Sequence, residues 1–391
     1  MLYALRDCAV FPKFAKKIET NTWLYKRCLL RNDEAERTKR EAPYILNDID
    51  LEDKYSFEYQ FRPNYADRSV KLHFDFCNNG IIPNRLYAII GKNGVGKTQF
   101  VSTLPMCIYK KEKTCFEPHI PLFSKVIAVS NCPFDHFEIP HETIEFQYVY
   151  CGLSVMRKGI KTVLSDDDIK DKIHENLKEI KKCDRLRNLR SILKPLFSEN
   201  ELDDIVEYDS FENEEDWMTA VDEKYEEFSS GQNNFLYLFS SVIANIRYDS
   251  LLLFDEPETH LHPNAITLLM TSINLLLEKY ESYGIIVTHS PLIIKELFAR
   301  NVYIMRRIGN TPSVKRIGIE SFGENLTNIT EEVFDNKDIT PYYYMVLKKL
   351  VDDGLNYEDI IKQVQSENIP VSLNLTILLE SLIVSRRNEK D

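Results

Sequence analysis

Hydrophobic and polar positions follow three patterns along this chain of 391 residues. The first is strict alternation. Ser69-Val70-Lys71-Leu72-His73-Phe74-Asp75-Phe76 carries an apolar side chain at every second place, which predicts a half-buried strand. Residues 54–63 also predict a strand, so an antiparallel pair is expected before Asn78-Asn79-Gly80 and Pro83-Asn84 turn the chain. The second pattern is the short unbroken apolar run. Arg85 to Ile90, Ser124 to Ser130, Leu251 to Phe254 and Gly284 to Val287 predict strands buried on both faces, and Glu142 to Tyr150 predicts another. The third pattern is helical spacing. It marks Phe235 to Ile246 and Ile266 to Tyr280, and the latter lies between two buried strands. A strand, helix and strand in that order predict a parallel crossover. Asn301 to Arg306 and Ser313 to Ile317 predict a final hairpin around Gly309-Asn310.

From about 155 to 227 the pattern turns charged and helical, with Ile169, Ile173, Leu177 and Ile180 at helical spacing. Apolar character returns at Phe228. Thr340-Pro341 predicts a helix start in the tail, and Gly354 its end. The expected class is α/β, with a mixed or parallel central sheet, a helical insertion and a helical C-terminal tail. The expected division is 1–45 as a segment of unassigned role, 46–154 and 228–318 as two parts of one core, 155–227 as the insertion, and 319–391 as the helical tail.

Charge and cysteine content narrow the class. The net charge is −12, which argues against a uniformly basic nucleic-acid surface. The distribution is uneven: Lys181, Lys182, Arg185, Arg187, Arg190 and Lys194 form a basic stripe, and Glu199 to Glu227 is acidic. The stripe reads first as a solvated face and second as a contact for nucleic acid or a partner. The eight cysteines include no C-x-x-C pair, so free thiols in a reducing compartment are expected. No apolar run reaches the roughly 18 residues of a membrane span. Met1 to Leu30 is interrupted by Arg6, Asp7, Lys13, Lys16 and Lys17 and lacks the form of a signal peptide, so the expected location is cytoplasmic, with no membrane contact.

Candidate chemistry starts at Gly91-Lys92-Asn93-Gly94-Val95-Gly96-Lys97-Thr98, which fits G-x-x-x-x-G-K-[ST] between a strand-like run and a helix-compatible one. The glycines let backbone N–H groups wrap a phosphate chain, and the following helix offers its positive end to the same anion. Asn93, Gly94, Val95, Gly96, Lys97, Thr98 and Gln99 are therefore candidate contacts for ATP. Lys97 is expected to reach the β- and γ-phosphates and Thr98 to hold Mg²⁺. Asp255 and Glu256 end an apolar strand at the edge where open α/β sheets bind ligands. Asp255 is the second candidate for Mg²⁺, and Glu256 is the candidate to polarise water. Ser229, Gly231 and Gln232 open a helix and suit a γ-phosphate. His289, ending the next strand, can reach the same phosphate. His260 and His262 stand near acids, yet without a third ligand they read better as a subunit-contact loop than as a zinc site.

Gly-Lys-Asn-Gly-Val-Gly-Lys-Thr, Phe-Ser-Ser-Gly-Gln, Leu-Phe-Asp-Glu-Pro-Glu-Thr-His-Leu-His-Pro and Val-Thr-His-Ser-Pro, in that order, resemble an ABC-type ATPase head. The wording after Asp255 is similar to the OLD/RecF/SMC branch. The resemblance covers about residues 65–310. It implies a head-to-tail homodimer or higher oligomer in which Ser229 and Gly231 complete the partner's ATP site. It also implies a Walker B acid at Asp255, a catalytic glutamate at Glu256, a switch histidine at His289, and the D-loop position for Thr259 to His262. Ser230 departs from the usual glycine, and Gln147 is the candidate Q-loop glutamine. OLD proteins carry a Toprim nuclease domain after the ATPase, whereas only about 90 residues follow here, without its acid cluster. Stand-alone ATPases of this type resemble components of anti-phage systems, which implies a separately encoded nuclease or toxin as partner. Two other readings stay open: a DNA-repair ATPase of the RecF kind, and an ATP-bound scaffold without turnover that holds a toxin.

Overall fold

The computed structural model describes residues 33–49, 54–76, 82–132, 148–157, 160–259, 261–334, 342–365 and 370–388, with 11, 51 and 137 besides. Two compact units result, Met1–Phe334 and Asp335–Asp391. The helix Leu326–Phe334 therefore belongs with the first unit, not with a tail beginning at 319.

Among the described residues of the first unit, α1 (Asp33–Ile45) is followed by β1 (Phe57–Phe61) and β2 (Val70–Phe74). Next come β3 (Leu86–Ile90), α2 (Lys97–Tyr109), the short β4 (Phe116–Glu117), β5 (Val126–Ser130) and β6 (Tyr148–Gly152). β1 pairs antiparallel with both β2 and β4, in the order β2-β1-β4. The alternation in β2 turns Leu72 and Phe74 inward and leaves Lys71 and His73 exposed.

A ribbon follows, β7 (Ser154–Arg157) against β8 (Ile160–Val163). The helical reading of the insertion missed it. β8 buries neither face fully, so its sequence offers no clean period of two. The insertion proper is α3 (Asp166–Lys182), α4 (Leu186–Leu193), α5 (Glu199–Val206) and α6 (Glu214–Glu227). Ser165 and Ser198 open α3 and α5 with reciprocal caps, each paired with an acid three residues on.

The core resumes with α7 (Ser230–Asn245), β9 (Leu251–Asp255), α8 (Pro263–Lys279), β10 (Tyr283–Thr288), α9 (Pro291–Lys295), β11 (Val302–Ile308), β12 (Thr311–Arg316) and α10 (Leu326–Phe334). α7 starts five residues before the apolar pattern does, because Ser229 caps a polar first turn. α8 starts at Pro263, where His262 caps and proline occupies the first position.

The seven-stranded sheet runs β12-β11-β3-β10-β9-β5-β6, parallel throughout except for the β11–β12 hairpin. The chain is thus α/β with a mixed, mostly parallel sheet. Alternate side chains of each buried strand feed two cores. Ala88, Ile127, Leu252 and Ile286 face the side packed by α7, α8 and the insertion. Tyr87, Ala128, Leu253 and Ile285 face α2 and the aromatic β1–β2 wall. Both faces are covered, which is why these strands read as unbroken apolar runs.

The second unit contains α11 (Tyr342–Asp352), α12 (Tyr357–Val364) and α13 (Leu373–Asn388), packed around Leu347, Val351, Ile360 and Leu379. The start expected at Thr340-Pro341 lies outside the described residues, as do Gln147, His260 and positions 142–147 of the strand expected before Tyr150. Among the described residues no helix is long and apolar enough to cross a membrane.

Candidate functional site

The strand order places the candidate residues together. β10 lies between β3 and β9, with Thr288 in register with Ile90 and Val287 with Asp255. The loop leaving β3, the acids leaving β9 and the histidine leaving β10 therefore emerge side by side at one edge of the sheet.

Between β3 and α2 the chain makes a tight loop. Gly91 is needed because a Cβ there would run into the Met305 carbonyl oxygen of β11. Gly96 caps α2 with φ 103°, a left-handed value that strains other residues. Nothing lies within 4 Å of a Cβ added at Gly94, and Asn93 and Gly94 are exposed. The Lys97 side chain is buried beneath the loop, and Nζ donates to the carbonyls of Gly91 (2.9 Å) and Lys92 (3.2 Å). Burial pushes its ammonium below its usual pKa, against the pull of Glu256, Asp255 and Glu258. Thr98, at the second position of α2, sets its Oγ1 3.4 Å from Asp255 Oδ1. A hydroxyl and a carboxylate oxygen so placed make a hard-oxygen pair of the type that holds Mg²⁺.

Glu256 turns the chain out of β9 with φ 49° while its N–H donates to Val287 O at 2.8 Å. Its Oε2 stands 2.8 Å from His289 Nε2. Burial raises the pKa of this half-buried carboxyl, but His289 and Lys97 bring it below its ordinary value. It is a carboxylate at neutral pH.

Sequence reasoning missed three neighbours. Glu258 is buried; its Oε1 accepts from the Thr288 hydroxyl and from the His289 N–H at 3.2 Å. Among the described residues nothing bonds its Oε2, nor Nδ1 of His289. Burial pushes the Glu258 carboxyl up. The signal was present in the sequence, since Glu258 lies two residues beyond Glu256 on the same turn. Tyr65 donates to the Val95 carbonyl at 2.8 Å, and the Arg307 guanidinium lies 3.9 Å from the Tyr65 ring centre. Gln99 Oε1 accepts from the Asn64 N–H at 2.9 Å, so the β1–β2 connection braces the loop. No local pattern marked Tyr65 or Arg307, because the β1–β2 connection brings in the first and β11 the second.

Ser229, Gly231 and Gln232 lie elsewhere. Ser229 caps α7 and shares a reciprocal bond pair with Gln232, whose Nε2 donates to Glu201 at 3.1 Å. Among the described residues none of these side-chain bonds reaches residues 91–99. Ser229 is exposed, and a Cβ at Gly231 would meet nothing within 4 Å.

The basic stripe is not a single face. α3 ends at Lys182 and the chain turns at Asp184 (φ 56°) before α4. Arg185 pairs with Asp33 of α1 and donates to Ile243 O at 2.9 Å. Arg190 binds Glu199, Asp203 and Glu207, Lys194 binds Glu199, and Lys181 sits 3.2 Å from the centre of the Tyr208 ring. The acidic segment that follows in sequence neutralises much of the basic one.

Residues 153–295 match the family described as "AAA domain, putative AbiEii toxin, Type IV TA system". Over 426 aligned residues the chain is 27% identical to protein ea59 of Escherichia phage lambda, spanning 100% of this chain and 80% of that one. Among solved structures, it is similar to cbiO1 from Clostridium perfringens, part of the ABC transporter complex cbiONQ (TM-score 0.37, 13% identity, 80% of this chain and 100% of that one). It is also similar to an SmcHead bound to the C-winged helix domain of ScpA (TM-score 0.32, 15% identity, 67% and 96%). The family match supports an ATPase.

Proposed function

We propose that this chain binds ATP with Mg²⁺, hydrolyses it, and uses the nucleotide to pair two copies of itself as a switch over a separately encoded effector. The observation that carries the reading is the meeting of two pairs at one sheet edge: Thr98 with Asp255, and Glu256 with His289. The first suits a cation beside the phosphates, and the second suits a water in line with them.

Lys97 exchanges two loop carbonyls for phosphate oxygens, which are stronger acceptors. Bound Mg²⁺ would screen phosphate charge during transfer. The ionised Glu256 accepts a proton from water held against His289, and Glu258 positions His289 through its N–H and Thr288. Residues 93–99 contact the triphosphate in this reading, with Tyr65 and Arg307 at the rim.

Pairing is supported by the exposed turn at Ser229, Gly231 and Gln232, whose bonds lead away from its own phosphate loop. A second copy is the natural recipient. A nuclease or toxin as effector is supported by the toxin–antitoxin wording of the matched family and by the phage origin of the relative. The same findings favour conflict between phage and host over DNA repair. The engagement of Arg185 and Arg190 with acids also weighs against the repair reading.

Glu256→Gln separates turnover from binding. It should lower ATP hydrolysis by at least about 100-fold while nucleotide affinity stays within about threefold. An ATP-dependent dimer should then accumulate in light scattering. Parental turnover in this variant would falsify the role of Glu256; a variant that binds ATP yet stays monomeric would remove the pairing. The scaffold reading predicts negligible turnover in the parent itself.

A further inference from the structure

Far along the same helix, α2 ends in a motif with an unusual pair of side chains. Lys110 N donates to Met106 O, Lys111 N to Ile108 O and Glu112 N to Cys107 O, at 2.8, 3.2 and 3.0 Å. Lys111 takes the left-handed conformation at φ 56°. This is a Schellman ending, which brings the third residue from the helix end against the second residue beyond the cap; those two places usually hold an apolar contact. Here they hold Cys107 and Glu112. The next turn, Lys113–Cys115, delivers a second thiol to the same carboxylate. Glu112 Oε2 stands 3.7 Å from Cys107 Sγ and 3.6 Å from Cys115 Sγ, and all three donor atoms lie within 4.8 Å of one another.

We propose that Cys107, Glu112 and Cys115 bind a thiophilic divalent cation of the Zn²⁺ class, with water as fourth ligand. Sulfur at about 2.3 Å and oxygen at about 2.1 Å on a tetrahedral ion stand about 3.6 Å apart, which is the spacing seen here. Two sulfurs select against Mg²⁺ and Ca²⁺. Glu112 is exposed, and Cys115 borders a cleft of about 500 Å³ lined also by Arg62, Arg68 and Thr114, so ion and water have an entry path. The anchorage is firm on both sides. The Tyr59 hydroxyl lies 3.4 Å from Cys107 Sγ, and Phe116, next to Cys115, pairs with Tyr59 across β1 and β4. The ion would therefore tie the end of α2 to the antiparallel wall, while the other end of α2 carries Lys97 and Thr98. The inference is independent of nucleotide binding.

The test is titration of the full, reduced, metal-free chain with Co²⁺, followed by displacement with Zn²⁺. The expected result is one Co²⁺ per chain with thiolate charge-transfer bands, displaced by equimolar Zn²⁺. Cys115→Ser should weaken binding at least 100-fold, and Glu112→Gln, a change at an exposed side chain, about tenfold. Cys183→Ser, at an exposed thiol outside the cluster, should bind as the parent does. Co²⁺ bound without sulfur bands, or bound equally by Cys115→Ser, would overturn the proposal. So would a parent whose Cys107 and Cys115 close into a disulfide in air and take up no metal when reduced. Should Cys115→Ser fail to fold by circular dichroism, Glu112→Gln decides: an unchanged affinity rejects the site.

Discussion

The two ends of the central sheet treat charge in opposite ways. At the amino ends of the strands, the charged groups are mostly engaged, although Nε of Arg40 and of Arg85 has no hydrogen bond among the described residues. Asp249, just before β9, is fully buried between Arg37 and Arg40 of α1, at 3.1 and 2.9 Å. Arg40 also donates to Leu122 O and Tyr55, and Lys125 donates to Asn245 O. Ser124, Ser250 and Ser282 link the starts of β5, β9 and β10. At the carboxyl ends, acids and cations are gathered but incompletely bonded: Lys97 rests on carbonyls, and Glu258 Oε2 has no hydrogen-bond partner among the described residues. A protein spends polar groups in the first way to fix a structure. It leaves them in the second way when a ligand is to finish the bonding.

Breaking the amino-end pairs should cost the most stability. Asp249→Ala leaves two arginines facing a buried gap, and should destabilise the chain by about 3–5 kcal/mol in urea unfolding. ATP affinity of the fraction still folded should not move; a drop there would mean the two ends are coupled. The reverse holds for Lys97→Ala. It should weaken ATP binding about 100-fold, equivalent to about 2.7 kcal/mol, with little change in the urea midpoint.

Two neighbouring acids sharpen the contrast through pH. Glu258 is pushed up by burial, so the folded chain keeps a proton that the unfolded chain has released. Stability falls as pH rises from the unfolded value toward the folded one. Glu256 is held below its ordinary value, so its contribution is present above the unfolded pKa and lost as pH falls through the folded one. Melting curves across the acid range should show Glu258→Gln flattening the loss on raising pH, and Glu256→Gln flattening the loss on lowering it. Identical profiles for both variants would contradict the assignment. The smallest effect is expected at Arg190, whose three carboxylate partners are all exposed. Arg190→Ala should cost no more than about 1 kcal/mol, and should leave affinity for DNA, measured by anisotropy, as in the parent.

The end proposed to bind ligand was the more legible in sequence. A phosphate loop must be local, so Gly91 to Thr98 stands in one stretch, and the acids and histidine had to end apolar strands that themselves stand out. The amino end left no such trace. Asp249 is one acid in a turn, and its partners Arg37 and Arg40 come from a helix more than 200 positions away. The first 45 residues therefore had no assignable role. In the structure, residues 33–45 lie against the strand starts through Arg37 and Arg40. The expectation of one continuous basic face failed for a related reason: charge counted along the chain cannot show that Glu199 and Asp203 fold back onto Arg190. Glu258 was overlooked because its turn was read as a single contact loop.

The left-handed backbone at Glu256 limits what mutation can explore. Valine, isoleucine or threonine would face a torsional penalty of about 1–2 kcal/mol there before any loss of chemistry is counted. Glycine, asparagine and aspartate enter most easily, and none of them extends a carboxylate as far as His289. Substitution here is therefore funnelled toward residues that keep the turn but leave His289 without its carboxylate partner.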